Sequence, residues 1–576
     1  MEDKQIEIEY RGSIAPAFLA RAISAFDEYK GAKQTLEARI RENNEWYKAQ
    51  YWKMINGKNE AQPATAFIFS AIENKYADAV DNFPVPNLLE RGPEDTQIAQ
   101  TLSKIIPLQL DMNGFKEKYK DNWRRKLKHG TAVYGIFYNE DKADIDVRVI
   151  DLFHVYCDIH LKDIQDSPFL FVTNVVDNAQ LRQEYPAYAP LFSGDAQLRS
   201  YSGSHTVKDR SEVVDCYYKK KEKGRQVLHL MKLVDGHVID ATEDREGFEN
   251  GLYQHGLYPV VFDVLYPEED SPFGFGIIDV IKNPQIYVDK LDGIISKNAM
   301  VAGKIRYMVK DNGGINEHEM MDYSKDIIHV AGSVDESNVR QFQAAALDSF
   351  IITHRQNKIV ELKEIVGNRD FQQGGTNGGV TAASAISMLQ QAGEKLSRSM
   401  IDDSYDAYRK LVLMMIELIR EFYTKERVYR ITNEVGQTDF RAFSGEMLYR
   451  PDFSDSLGFD MSTGRQKVEF DISVVPQRQN PFTKEINNQT ILSLWQNGLF
   501  QRESLDTAMI VLQALQFDGK DKILSELVQL KNQEPLPDEL QNMGTENTDQ
   551  SAAPKQLEGI EDLGNGLSAV PIGGLQ

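Results

Sequence analysis

Two rhythms of apolar residues run through this chain, one of three or four positions and one of two, and proline and glycine mark where they change. Residues 15–55 carry a helical pattern with many charges and an aromatic cluster, Trp46, Tyr47, Tyr51 and Trp52. Ala66, Phe69, Ile72, Tyr76 and Val80 step by three or four, predicting a helix over 64–83 that Pro84 and Pro86 end. A third helix is predicted over 96–110, preceded by the acidic first-turn signal Pro93–Asp95. Period two then takes over. Ala132–Tyr138 and Ile145–Ile150 flank a charged turn and predict a hairpin. FLFVTNVV (169–176), VVDCYY (213–218), QVLHLMKLV (226–234) and PVVFDVLY (259–266) predict further strands, so residues 46–270 read as one α+β domain.

The most informative stretch is Ser271–Phe422. The Gly/Pro-broken entry SPFGFG opens a helical pattern that runs to about Ala302, with Asn283 as the expected N-cap and Pro284 at the first helical position. Val288, Leu291, Ile295, Ala299 and Ala302 predict one buried stripe, while Lys290, Lys297 and Lys304 repeat every seven residues on a roughly opposite face. The insert 304–344 holds strand candidates KIRYMVK (304–310) and DIIHVAG (326–332) around the turn DNGG, and a second helical run extends to about Val366. The loop Gly374–Val380 leads into a long amphipathic helix in which Ile401, Tyr405, Tyr408, Val412, Met415, Ile419 and Phe422 form a near-heptad seam. Strands return at RVYRIT (427–432) and VEFDISVV (468–475), and helices are expected within 483–531. Residues 534–576 carry eight acidic residues and one lysine among Gly, Pro, Asn and Ser, a composition expected to be mostly disordered.

Composition narrows the function. A net charge of −22 argues against a generic basic grip on nucleic acid, though not against a protein that surrounds DNA without gripping it. Two cysteines, Cys157 and Cys216, imply no disulfide framework and fit a reducing compartment. No apolar run is long enough to span a membrane, and the charged start lacks a signal-peptide core, so a soluble protein made in the cytoplasm is expected.

Catalytic motifs fail one after another. His154, Cys157 and His160 in HVYCDIH would alternate faces if they lay on a strand, a poor three-ligand set; His318 in HEMM has no second histidine. GFGIID has Asp279 where a dinucleotide fingerprint needs its third glycine, and GGTNGGVT lacks the lysine of a phosphate loop. Ser202 and His205 are neighbours without an evident orienting acid. The basic run WRRKLKHG (123–130) and the Trp46–Trp52 aromatics suggest a nucleic-acid patch, but a basic helix end stopped by Gly130 explains the run with less. No metal and no cofactor is expected. The lysine stripe is either a solvated face or, if copies of the helix form a ring, a set of positive rings facing a neighbour's acids or a lumen.

Five segments, in colinear order, resemble the portal proteins of tailed bacteriophages. They are AFIFSAIENKYADAVDNFP (66–84), KLKHGTAVYGIFYNED (126–141), VIDLFHVYCDI (149–159), FGFGIIDVIKNPQIYVDKLDGII (273–295) and the stretch from GGVTAAS to LIREFY (378–423). The resemblance implies an α+β portal-type fold, a ring-shaped homo-oligomer, usually of twelve subunits, at one capsid vertex. Its parts would be an N-terminal helical arm (1–45), a wing (46–270 and 425–480), stem helices (271–303 and 345–366), a small α/β clip (304–344), a tunnel loop (367–380), a long kinked helix (381–424), crown helices (481–532) and an acidic tail (533–576).

By that resemblance the protein is a non-enzymatic channel for double-stranded DNA entering and leaving the capsid. Its partners would be the terminase large subunit, a head–tail adaptor, the major capsid protein and a scaffolding protein, with no membrane contact; it would reside in the virion. Candidate residues follow from geometry: Arg369, Asp370, Phe371, Gln372, Gln373 and Asn377 in the tunnel loop, Lys290, Lys297 and Lys304 on the stem, and Asn312, Glu317, His318 and Glu319 on the clip's docking surface. The competing readings are a nucleotide- or metal-dependent enzyme acting on nucleic acid, and another type of capsid–tail connector.

Overall fold

The computed structural model describes residues 12–52, 64–222, 224–303, 347–367, 395–432, 438–451, 465–478, 481–497 and 505–515, with short stretches at 306–309, 339–342 and 459–460 and a few single positions. Contacts divide the chain into two compact units, Met1–Asn433 with Gln437–Asn487, and Glu434–Gly436 with Asn488–Gln576.

Alternation along strands builds the first unit outward from a five-stranded antiparallel sheet. Its strands are β4 (Val155–Tyr156), β5 (Phe169–Asp177), β8 (Arg210–Glu222), β9 (Arg225–Val234) and β10 (His237–Ala241), ordered β10-β9-β8-β5-β4. Phe169, Phe171, Val214, Cys216, Tyr218, Met231 and Leu233 fall on one face, where Phe18 and Phe26 of α1 (Pro16–Ala32) cover them. Leu170, Val172, Tyr217 and Leu228 fall on the other and join the main core. A one-residue slip would exchange the two sets, so burial on both faces pins the register. α2 (Gln34–Tyr47) follows α1 after a single residue, Lys33. That lysine is buried, its ammonium donates to the carbonyls of Leu152 and Val155, and it lies 4.1 Å from the Tyr156 ring centre. Burial lowers its pKa to about 8.

The main core gathers α3 (Phe67–Asp81), α4 (Thr96–Met112), α5 (Phe115–His129), the three-stranded sheet β11-β2-β3 and α9 (Lys395–Phe422). β2 (Thr131–Asn139) and β3 (Asp144–Ile150) form the expected hairpin, and β11 (Val260–Val264) adds to its open edge. Ile401, Tyr405, Tyr408, Val412, Met415 and Ile419 of α9 are all buried, and Phe422 stacks on Tyr138 at 4.0 Å, so the near-heptad seam does face the core. One buried ion pair crosses the interior. Lys126 Nζ of α5 lies 2.5 Å from Asp263 Oδ1 of β11, with both side chains at zero exposure. Ser404 Oγ of α9 donates to the second carboxylate oxygen at 2.9 Å, and Asn122 Nδ2 of α5 at 3.4 Å.

Four elements depart from the sequence reading. Pro84 and Pro86 lie inside a strand: β1 (Asn82–Glu90) pairs antiparallel with β21 (Phe470–Arg478), and both prolines are tolerated because the sheet has only these two strands. HVYCDIH contributes only two strand residues, with His154 ending a 3-10 turn. The long helix α7 (Ile277–Ala302) begins six residues before Asn283, so Pro284 lies within it. Its true cap is Gly276, whose N–H bonds the Asp279 carboxylate at 2.9 Å. In the insert, β14 (Arg306–Val309) pairs with β15 (Val339–Phe342), and DIIHVAG lies largely outside the described residues.

Other expectations match. α8 (Ser349–Val366) is capped by Asp348 and stopped by Gly367 in the left-handed conformation. β16 (Arg427–Thr432) pairs with β17 (Thr438–Phe443). The C-terminal helices are α10 (Pro481–Gln496) and α11 (Leu505–Ala514); α10 starts in the first unit and ends in the second.

Removing one member of the buried ion pair strands the other. Asp263→Ala is expected to cost about 3–5 kcal/mol in urea unfolding, whereas the double change Lys126→Met with Asp263→Leu recovers most of that loss. Equal destabilisation by both variants would show that the pair is not the source.

Candidate functional site

Close backbone contact sets the direction in which α7 leaves the core. The end of α5 meets the start of α7 at three glycines. Gly130 has φ +85°, and a Cβ there would lie 2.4 Å from the Phe275 carbonyl carbon. A Cβ on Gly276 would lie 2.7 Å from the Lys128 oxygen, and one on Gly274 would lie 2.2 Å from the Tyr266 oxygen. The glycines of SPFGFG thus permit close chain approach, not phosphate binding. Asn43 of α2 bridges the junction, donating to Lys128 O and to Asp279 Oδ1, both at 3.1 Å.

About three turns further along α7 lies a buried carboxylate. Asp289 is at zero exposure and accepts from Thr65 N (3.0 Å), Thr65 Oγ1 (2.6 Å), Gln285 Nε2 (3.1 Å) and the Tyr51 hydroxyl. Tyr51 is stacked on Trp46 at 3.8 Å. These two aromatics are core, buried at 2–3% exposure, and offer no face for stacking a base. Asp289 is the last buried residue of α7. Beyond it the helix is held by α8, where Arg355 grips Asp292 with two nitrogens, Nη2 to Oδ2 at 3.0 Å. Near its start α8 has no buried residue; its buried positions are Ile359, Leu362 and Val366. At about 1.5 Å per residue, the 26-residue α7 is about 39 Å long.

Lys290 and Lys297 are exposed on this helix, and neither has an ion-pair partner among the described residues. Beside them runs an exposed apolar stripe at a seven-residue step, Val280, Tyr287 and Ile294. The expected buried stripe holds only at Val288. Leu291, Ile295 and Ala302 are partly buried and Ala299 is exposed in the single chain. Lys304 lies outside the described residues, as do Arg369, Asp370, Phe371, Gln372, Gln373 and Asn377, and Asn312 and Glu317. His318 and Glu319 are described, and the Glu319 carboxylate bonds His329 Nδ1 at 2.9 Å.

The basic run near Gly130 is consumed by structure. Arg124 pairs with Glu73 at 3.4 Å, Arg125 with Asp121 and Asp151, Lys126 with Asp263, and Lys128 lies 5.0 Å from the Tyr47 ring centre. No nucleic-acid patch remains there. The HVYCDIH trio is dispersed: His154 bonds Thr173 Oγ1 at 3.1 Å, and burial pushes the Cys157 thiol up to about 12. Among the described residues no group of three His, Cys, Asp or Glu side chains gathers as metal ligands, and no helix is long and apolar enough to cross a membrane. Ser202 Oγ does meet His205 Nε2 at 2.9 Å, on an exposed hairpin, with no carboxylate recorded against that histidine among the described residues.

Glu421, near the end of α9, is a partly buried acid the sequence did not point to. It accepts from Gln254 N at 3.0 Å, and burial raises its pKa to about 7 from an ordinary 4.5. It therefore binds a proton in the folded state across a window, about pH 4.5 to 7, where the unfolded chain does not. Stability should fall as pH rises through that window. Glu421→Gln is expected to flatten this slope, raising the urea midpoint at pH 8 and leaving it near the parent value at pH 4.5; a parallel shift at both pH values would refute the assignment. At Asp289, replacement by leucine leaves the Thr65 N–H without its acceptor, so amide exchange at Thr65 should accelerate, and unchanged exchange would rule out the latch.

Comparison with known proteins finds one family. Residues 293–562 match the family model described as Phage P22-like portal protein, a stretch that opens in α7 and takes in α8, α9 and the C-terminal helices. No curated protein matches the chain. The motifs at 66–84, 126–141 and 149–159 lie outside the matched stretch, whereas 378–423 lies inside it, so the local resemblance and the family match overlap only in part. The match over 293–562 supports a phage portal protein, with the DNA-packaging role that follows from that family.

Proposed function

We propose that copies of this chain close into a ring, usually of twelve in this family, with double-stranded DNA passing through its centre. α7 and α8 would form the channel wall, residues 304–344 the surface that docks the terminase large subunit and then the head–tail adaptor, and residues 367–380 a loop reaching toward DNA. The wing, 46–270 with 425–480, and the crown, 481–532, would contact neighbouring copies, the major capsid protein and scaffolding protein. Assembly would follow synthesis in the host cytoplasm.

The observation that carries this reading is the α7–α8 pair. It leaves the core at Asp289, is pinned by Arg355–Asp292, and exposes apolar residues on both helices: Tyr287 and Ile294 on α7, Phe350, Ile352 and Val360 on α8. Exposed apolar residues clustered on two packed helices mark a contact site. Each copy also adds a formal charge of −22, so ring contacts must be extensive and charge-complementary, and low salt should disfavour assembly.

Electron microscopy of the purified chain tests the reading. Rings with an open centre are expected, more abundant at moderate than at low salt. A monodisperse monomer at high concentration under every salt condition would overturn it. Robust magnesium-dependent nuclease or ATPase turnover by the isolated chain would instead favour the enzyme alternative.

A further inference from the structure

We infer that Lys290 and Lys297 belong to a subunit–subunit seam, in which the outer face of α7 packs on the outer face of α8 in the next copy, and that they do not line the lumen. The inference rests on the ring reading above and specifies its contact.

The two helices carry complementary outer faces. The side of α7 turned toward its own α8 holds Asp292, bonded to Arg355, and Tyr287, whose ring lies 6.2 Å from that of His354. At about 100° per residue, Lys290 and Lys297 lie on the opposite side, with Ile294, 50% exposed, at its edge. On α8 the side turned toward α7 holds Arg355, Ile359, Leu362 and Val366. Its opposite side holds Phe350 and Val360, 69% and 46% exposed, with the exposed carboxylates Glu361 and Glu364. One helix therefore presents positive charge beside Ile294, and the other an apolar strip edged with negative charge. Both charged faces lie roughly opposite the helix's own partner. A wall in which α7, α8, the neighbour's α7 and the neighbour's α8 follow in line needs that arrangement, and such a head-to-tail contact closes into a ring.

Register agrees with charge. The Arg355–Asp292 pair fixes the antiparallel alignment, so a residue of α7 is level with the residue of α8 whose number brings the sum to that of 292 and 355. Ile294 is then level with Thr353, and Lys290 with Asn357. Rotation about a ring axis preserves height, so these pairs also face each other between copies, within about a turn. Lys290 lies roughly one turn from Glu361, and helical side chains lean toward their own N-terminus. On antiparallel helices the two therefore lean toward each other. Glu361 is already 2.6 Å from Lys358 on its own helix, whereas Glu364 has no ion-pair partner among the described residues. A face toward DNA would instead lie a quarter-turn round α7, where neither lysine sits.

The test is a disulfide ladder. Ile294→Cys with Thr353→Cys puts both thiols on outer faces, on opposite sides of one helix pair and too far apart to join within a chain. Oxidised rings of the double variant should run as a ladder of covalent multimers on non-reducing gels, and each single variant should not. Rings visible by electron microscopy without a ladder would overturn the seam and leave the portal reading standing; no rings for the parent chain would remove the portal reading itself. Charge reversal supplies the second arm. Lys290→Glu should weaken ring assembly at least several-fold, and adding Glu361→Lys should restore it. Normal assembly of Lys290→Glu with altered DNA retention would assign the lysine to the lumen instead.

Discussion

A charge that cannot reach water must be answered inside the protein, and Lys126 with Asp263 is where this fold meets that demand. The lysine comes from a helix, the aspartate from a strand, and Ser404 from a second helix far along the chain completes the carboxylate's bonds. A buried pair of this kind adds little net stability relative to apolar residues, but an incomplete one is costly. The main core therefore excludes arrangements that separate α5, β11 and α9. The end of α5 then meets the start of α7 through glycines that allow the chains to touch, and α7 can leave the core in only one direction.

That direction is what makes the channel reading physical. α7 is anchored by a carboxylate gripped from the N-terminal segment, through Tyr51 and Thr65, and beyond the anchor it is held by Arg355 of α8. In an isolated copy the pair exposes tyrosine, isoleucine and phenylalanine to water, and neighbouring copies would relieve that exposure. The strongly negative chain adds a constraint, since like-charged copies assemble only where local faces are complementary. Lysines on one helix and glutamates on the other provide such faces.

Much of the local structure was legible in the chain. Alternating β2, β3, β5, β8 and β9, the near-heptad seam of α9 and the reach of α8 to Val366 follow from periodicity, because one face of each element is buried and the other is not. Failures arose where a distant segment decided the outcome. Pro84 and Pro86 read as a helix stop, which they are, but also lie in a strand because Phe470–Arg478 lies alongside. Asn283-Pro284 imitates a helix start, yet Asp279 caps the helix earlier. The stripe from Val288 to Ala302 reads as core, but only its first residue is fully buried, because the helix past Asp289 extends beyond the main core. Of the candidate site, Lys290 and Lys297 were visible from their spacing. Asp289 and Glu421 were not, since a carboxylate's burial depends on residues far from it in sequence.

By itself the sequence determined the elements, the mixed α+β class, the failure of each catalytic motif and the resemblance to a portal, because these depend on local periodicity, spacing and residue chemistry. Tertiary structure decided which charges are buried and which remain free. Four basic residues within the five positions Arg124–Lys128 look like a binding patch until Glu73, Asp151, Asp263 and Tyr47 are brought to them. Two lysines spaced seven apart on α7 look ordinary until nothing among the described residues pairs with them. The physical reason is the same in both cases: a side chain's charge is set by its chemistry, but the partner that answers it is set by the fold.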